Sequence, residues 1–65
     1  MADILTLPEV AELLRMKPTS VYELTRARTR EKHKHPLPVL RIGSALRFRR
    51  EDIEQWLEQL SKEAA

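Results

Sequence analysis

Eleven of the twelve lysines and arginines lie between Arg15 and Arg50, where the only acids are Glu23 and Glu31. This middle segment carries +9 and the two flanks together carry −7, so the net charge of +2 hides one strongly basic stretch. Guanidinium and ammonium groups at this density attract a polyanion through the local field, whatever the net charge. A merely solvated surface would intersperse acids among the bases, so the segregation predicts a nucleic-acid partner.

Two other groupings of reactive side chains invite a chemical interpretation. His33 and His35 stand beside two lysines, but the chain has no cysteine and Glu31 is the only carboxylate nearby in sequence. We interpret the histidines as part of a basic loop and predict neither a metal ion nor a cofactor. Ser20 and Glu23 are not spaced as a nucleophile and base with those histidines, and 65 residues form no deep cleft, so we predict no enzymatic activity.

The length and composition indicate a single domain over residues 1–65, near the lower size limit for folding without disulfides or bound metal ions. Without cysteine there are no disulfides, and the composition suits a reducing cytoplasm. No apolar run approaches the length of a membrane span or a signal-peptide core, so we expect no membrane association.

A capping motif predicts where the first helix begins. Thr6 is placed as N-cap and Glu9, three residues on, as its capping-box partner. Val10, Leu13 and Leu14 then follow at helical spacing on one face. The pattern predicts a helix of about two turns that ends before the proline at position 18.

A second helix is predicted from Pro18, which suits the first helical position, with Val21 and Leu24 on its apolar face. Only residues 15–17 separate the two helices, as in a helix-turn-helix unit. Residues 25–34 could continue helically, but they lack an apolar stripe. We therefore predict that the distal half of this segment is a solvated or mobile basic loop, closed by the prolines that follow.

After the prolines, the apolar period changes from helical to alternating. Residues 39–42 and 46–48 read as two short strands around a turn at residues 43–45. The alternation predicts one shared apolar face for Leu40, Ile42, Leu46 and Phe48, with the arginines on the other face. A two-stranded hairpin is marginal alone, so this wing must rest on the helices.

The last predicted element is an amphipathic helix over about residues 50–61. Its apolar stripe consists of Ile53, Trp56, Leu57 and Leu60. Glu51 and Asp52 occupy the first turn, where the helix dipole favours acids. A single large aromatic on such a stripe usually packs, so we expect Trp56 to anchor the core.

The order of elements predicts an α+β fold, a small winged helix made of a helix-turn-helix, a two-stranded β-hairpin wing and a C-terminal helix. With this order the chain resembles the excisionase and AlpA-type family of small DNA-binding proteins, which are distant relatives of MerR-type DNA-binding domains. The matching residues are Leu5-Thr6-x-x-Glu9-Val10-Ala11-x-x-Leu14, Ser20-Val21-Tyr22-x-Leu24, Leu37-Pro38, Arg41-Ile42-Gly43, Leu46-Arg47-Phe48 and Glu51-Asp52-Ile53-x-x-Trp56-Leu57. The chain departs from the family pattern at Lys17, usually a Ser-type cap, and in the longer segment 25–35.

The resemblance implies that the second helix enters the major groove and that the wing reaches the adjacent minor groove or its phosphates. Side chains that donate to phosphates or read base edges occur at both places. On the second helix and the basic segment the candidates are Lys17, Thr19, Ser20, Tyr22, Glu23, Arg26, Arg28 and Arg30. On the wing they are Arg41, Ser44, Arg47 and Arg49. Tyr22 could equally pack against the wing, and Arg50 could contact a phosphate or pair with acids of the last helix.

The resemblance implies a sequence-specific, DNA-bending accessory protein that steers the integrase of a phage or mobile element toward excision, a recombination directionality factor. Its expected partners are double-stranded DNA, an integrase and neighbouring protomers on DNA, in the cytoplasm at the nucleoid. Two alternatives stay open. An AlpA-type transcriptional regulator would use the same DNA surface, and a protein-interaction module such as an antirepressor would bind an acidic partner through the basic face.

Overall fold

A cap on Thr6 opens the first helix of the computed structural model, which describes residues 3–64. The Thr6 backbone N–H donates to Oε1 of Glu9 at 2.8 Å, and the Glu9 backbone N–H donates to Oγ1 of Thr6 at 3.4 Å. Each side chain of this capping box satisfies an amide that the helix itself leaves unpaired. The predicted start is confirmed, and helix α1 spans Leu7–Leu14.

The turn after α1 depends on a left-handed residue. Arg15 has φ 56° and ψ 45°. Its N–H donates to the Glu12 carbonyl at 3.1 Å, while the Met16 N–H donates to the Ala11 carbonyl at 2.8 Å, the bond pair of a Schellman cap. Helix α2 follows over Pro18–Thr25. The predicted three-residue connection is confirmed, and α1 and α2 form a helix-turn-helix unit.

The prediction of a loop in the distal half of residues 25–34 is wrong as far as Lys32, because that part is helical. The backbone leaves the helix at Arg26, with φ −74° and ψ 141°, and resumes as helix α3 over Ala27–Lys32. The six residues of α3 are all described, and none is buried. Alanine, arginine, glutamate and lysine are strong helix formers, and Arg30 and Lys32 suit the negative end of the helix dipole. Local propensity therefore favours a helix here although an apolar stripe is lacking, and the hydrogen bond from Arg30 to the Leu37 carbonyl anchors it.

The hairpin is part of a three-stranded antiparallel sheet. Its strands, in the spatial order β1-β3-β2, are β1 Ile4–Leu5, β2 Leu40–Ile42 and β3 Ala45–Arg49. The predicted two-stranded hairpin is confirmed, and the structure adds a third strand that was not predicted, because Leu5 of β1 pairs with Phe48 of β3. A strand of two residues shows no alternation from which it could be predicted. The extra strand ties the start of the described chain to the hairpin.

The turn of the hairpin contains two residues, Gly43 and Ser44, and not the predicted three. The cross-strand pairs are Leu40 with Arg47, Arg41 with Leu46, and Ile42 with Ala45. The prediction placed Leu40, Ile42, Leu46 and Phe48 on one face. That prediction is wrong, because a change of one residue in register moves every side chain of one strand to the other face. Arg41 therefore shares the core face with Phe48, while Ile42 and Arg47 lie on the outer face.

The core lies where α1, α2 and the sheet meet the last helix. Its buried apolar residues are Leu5, Val10, Ala11, Val21, Leu37, Phe48, Ile53 and Trp56. Helix α4, Arg50–Ala64, begins where predicted and ends three residues later than predicted. The Trp56 side chain is 8% exposed, and its indole N–H donates to the His35 carbonyl at 2.7 Å. The expected anchor role of Trp56 is confirmed.

Candidate nucleic-acid interface

Helix α2 presents its polar residues to solvent. Val21 and Thr25 are buried, and Leu24 packs partly against the core, which leaves the opposite face open. The predicted contact residues at and around this helix are all exposed: Lys17, Thr19, Ser20, Tyr22, Glu23 and Arg26. A helix with such a face matches the width of the major groove, where amide, hydroxyl and guanidinium donors meet base edges.

Two residues of this face have particular surroundings. Tyr22 is 51% exposed, so half of its surface is free of the core. Arg26 lies 3.4 Å from the carboxylate of Glu23, and both side chains are about 60% exposed. An exposed pair of this kind stabilises a protein by less than about 1 kcal/mol. A phosphate or a base edge can therefore displace Glu23 from Arg26 at little cost.

The wing is fastened to α2 by Arg41. Because Arg41 lies on the core face of the hairpin, its Nη2 reaches past the sheet and donates to the Thr25 carbonyl at 3.3 Å. Thr25 is buried and ends α2, and its own hydroxyl donates to the Tyr22 carbonyl at 2.6 Å. The guanidinium of Arg41 therefore joins the two elements that the resemblance assigns to the two grooves, and Arg41 as a whole remains an exposed residue.

The other wing candidates take no part in the contact between Arg41 and Thr25. Arg47 is half-buried on the outer face, and its Nη1 donates to the Leu46 carbonyl at 2.8 Å. Arg49 is exposed and pairs with Glu51 at 2.6 Å. Ser44 is exposed in the turn. These side chains cover the outer face and the tip, where a nucleic-acid backbone could approach.

Helix α3 contributes one exposed and one anchored arginine. Arg28 is exposed, whereas Arg30 is half-buried and donates from Nη1 to the Leu37 carbonyl. Since α3 is a helix, Arg28 and the exposed Lys32 share a face at a spacing of four residues. Lys32 was not among the predicted contacts. The signal that could have found it was this spacing, which has meaning only once residues 27–32 are known to be helical.

The acidic residues lie at the edges of the basic surface and do not neutralise it. Arg50 pairs with Asp3 at 3.1 Å, and not with an acid of the last helix as one alternative predicted. Glu63 contacts His35 at 3.1 Å and Lys34 at 3.3 Å. Among residues 3–64, no acid pairs with a basic side chain of α3, and Glu23 pairs with Arg26 at the junction of α2 and α3. The positive charge of α3 is therefore left for an external anion.

Two carboxylates have lowered pKa values. Hydrogen bonds from the backbone and side chain of Thr6 hold the pKa of Glu9 below its usual value, and the charges of Arg50 and Arg47 add to the effect. The pKa of Glu63 is lowered by its hydrogen bond with His35, and then by that with Lys34. Both groups are placed to stabilise the fold, one as a helix cap and one as a tie between α4 and the loop before the wing.

Other kinds of site find little support in the described part of the chain. Within residues 3–64, no three His, Asp or Glu side chains are grouped closely enough to hold a metal ion. A shallow cleft beside α1 is lined by Leu5, Glu9, Glu12, Leu13 and Arg50, which include no hydroxyl or thiol nucleophile. None of the described helices combines the length and apolar character needed to cross a membrane.

Comparison with known proteins places this geometry in a family. The family model described as helix-turn-helix domain matches residues 4–61, which include every element from β1 to most of α4. Searches of curated proteins and of solved structures found no match. The matched range contains the helix-turn-helix unit, α3, the wing and the anchoring tryptophan. The chain therefore belongs to the helix-turn-helix family of excisionase- and AlpA-like small DNA-binding proteins.

Proposed function

We propose that the chain is a sequence-specific, architectural DNA-binding protein of the excisionase type, which bends DNA to direct an integrase of a phage or mobile element. The observation that carries the DNA-binding role is the exposed polar face of α2, held beside the wing by the hydrogen bond from Arg41 to Thr25. Two elements held side by side in this way can reach adjacent grooves of one duplex, and sequence-dependent bending of that duplex would add contacts. The family resemblance supports the step from DNA binding to excision.

The proposal gives each element its own task. Helix α2 reads the major groove, with its exposed side chains on base edges and phosphates. Helix α3 contacts the phosphate backbone through Arg28, while Arg30 both holds the Leu37 carbonyl and offers its remaining N–H groups. The wing approaches the minor groove or its phosphates through Arg41, Ser44, Arg47 and Arg49. No catalytic step, metal or cofactor belongs to this function, and its place of action is the nucleoid in the cytoplasm.

The role of α2 can be tested by competition between a duplex selected in vitro with the wild-type protein and random duplex DNA. Thr19→Ala and Arg26→Ala should each lower discrimination by about 1 to 3 kcal/mol per lost base contact. Lys62→Ala is the matched control, because Lys62 is an exposed base that lies near the end of α4. Wild-type discrimination in both α2 variants would show that another element reads the sequence.

The two wing arginines have different contacts, so their variants should differ. Arg47→Ala should reduce the slope of log K against log salt by about one and keep the melting temperature, since it loses one phosphate contact. Arg41→Ala should lower the melting temperature as well, because the Thr25 carbonyl loses its donor. An unchanged salt slope for Arg47→Ala, with a lower melting temperature, would remove the wing from the DNA interface.

Excision and transcription are separated by where the site lies. An integrase gene and an attachment site next to the coding sequence, with an excision assay that depends on the protein, would support the directionality role. A site within a promoter, with transcription altered and recombination unaffected, would favour the AlpA-type regulator. Binding to duplex DNA that is weak and independent of salt would instead favour the protein-interaction module.

A further inference from the structure

The tip of the wing exposes an isoleucine. Ile42 is 58% exposed, the largest value among the exposed large hydrophobic side chains of residues 3–64. It is the last residue of β2 and pairs with Ala45 across the two-residue turn. The register places its side chain on the outer face of the sheet, away from Phe48, and it belongs neither to the core nor to the residues packed against it. Core packing therefore does not account for this residue.

The turn beside Ile42 is narrow and open. Gly43 has φ 61°, and a Cβ added to it would meet nothing within 4 Å. Ser44, a small polar residue, does not have a positive φ. The turn therefore matches type II′, which places glycine at the first of its two central positions. The wing thus ends in a thin tip with one stiff, β-branched apolar side chain next to it.

The charge around this apolar side chain indicates its partner. Arg47 lies on the same outer face as Ile42 and diagonal to it in the hairpin, whereas Arg41, which precedes Ile42, lies on the core face. Such diagonal neighbours are about 7 to 8 Å apart, within reach of one another's side chains. An isolated exposed isoleucine is ordinary on a protein surface. One that lies beside the Arg47 guanidinium at the tip of a DNA-binding wing fits a base step in the minor groove, where apolar base faces lie between anionic phosphates.

We propose that Ile42 is an apolar wedge that enters the minor groove and pushes between two base pairs, so that it bends the duplex. This inference rests on the proposed function, in which the wing approaches that groove. Apolar side chains inserted from the minor groove partly unstack a base step and kink the DNA toward the major groove. Pyrimidine–purine steps unstack most easily, so the wedge selects such a step without a hydrogen bond to its bases. Arg47, on the same face, then holds a phosphate beside the opened step.

The test uses a short duplex, selected in vitro with the wild-type protein, that carries donor and acceptor dyes at its two ends. Ile42→Thr keeps the β-branched shape but makes the side chain polar, and it should abolish most of the protein-dependent rise in energy transfer. Binding should weaken about five- to tenfold, because just over half of the side chain remains to be buried in the complex. Ile42→Val, which stays apolar and β-branched, should restore most of the bending.

Ile4 provides the matched control. It is 46% exposed and, because it pairs with Arg49, it lies on the same outer face of the sheet but away from the tip. Ile4→Thr should bend and bind the duplex like the wild type. Bending by Ile42→Thr equal to wild type, or equal losses in Ile42→Thr and Ile4→Thr, overturns the wedge alone. Wild-type protein that binds the duplex without bending it overturns the architectural function, and the wedge with it.

Discussion

Replacement of Trp56 tests how the last helix closes the fold. Its side chain is 8% exposed, and a tryptophan buries about 150 to 250 Å². At about 25 cal/mol per Å², Trp56→Ala should cost about 3 to 5 kcal/mol once the remaining methyl group is allowed for. A chain of this length is stable by roughly 3 to 10 kcal/mol, so the variant should be largely unfolded at the low end of that range. Urea denaturation followed by circular dichroism measures the loss.

Two further variants separate the hydrogen bond of Trp56 from its bulk. Trp56→Phe keeps an aromatic ring but leaves the His35 carbonyl without its donor at 2.7 Å, and it should cost about 1 to 2 kcal/mol. Gln55→Ala changes the exposed neighbour on the same helix and should stay within about 0.5 kcal/mol of wild type. If Trp56→Ala unfolds cooperatively close to the wild-type midpoint, the tryptophan is peripheral and the packing argument is refuted.

Substitutions at three positions probe the backbone and the ion pairs. Arg15→Gly should stabilise the protein by about 1 kcal/mol in urea denaturation, since glycine accepts φ 56° without strain, whereas Arg15→Ala should gain nothing. Gly43→Ala should destabilise by about 1 to 2 kcal/mol through its φ of 61° alone, as the added methyl has open space, and an unchanged midpoint would mean that the turn reshapes. In the folded protein, His35 and Lys34 lower the pKa of Glu63 from 4.5. The stability that Glu63 contributes is therefore fully present above about pH 4.5, and it is lost as the pH falls through the lowered pKa of the folded state. In Glu63→Gln, the melting temperature should fall less steeply than in the wild type as the pH drops below about 5. A fall as steep as that of the wild type would contradict this.

Local signals in the sequence were sufficient for most of the helices. The start of α1 could be predicted because Thr6 and Glu9 cap it within three residues of each other. Pro18 and the apolar stripe that includes Ile53 and Trp56 likewise predicted the starts and buried faces of α2 and α4. The exposed face of α2 follows from the same periodicity, so the candidate DNA-reading residues of that helix could be selected before the structure was known.

The tertiary structure decided the features that depend on partners distant in sequence or on a difference of one residue in the length of a turn. The face of each wing side chain changed because the turn at Gly43 has two residues, and alternation alone fits a turn of two or three. The acceptors of Arg30 and Arg41 are backbone carbonyls 7 and 16 residues away, which no side-chain pattern encodes. Strand β1 is too short to alternate, and α3 forms through propensity without an apolar face. The sequence thus determined the helices and the basic surface through short-range interactions, whereas long-range pairing decided how the wing is oriented and which of its side chains remain free.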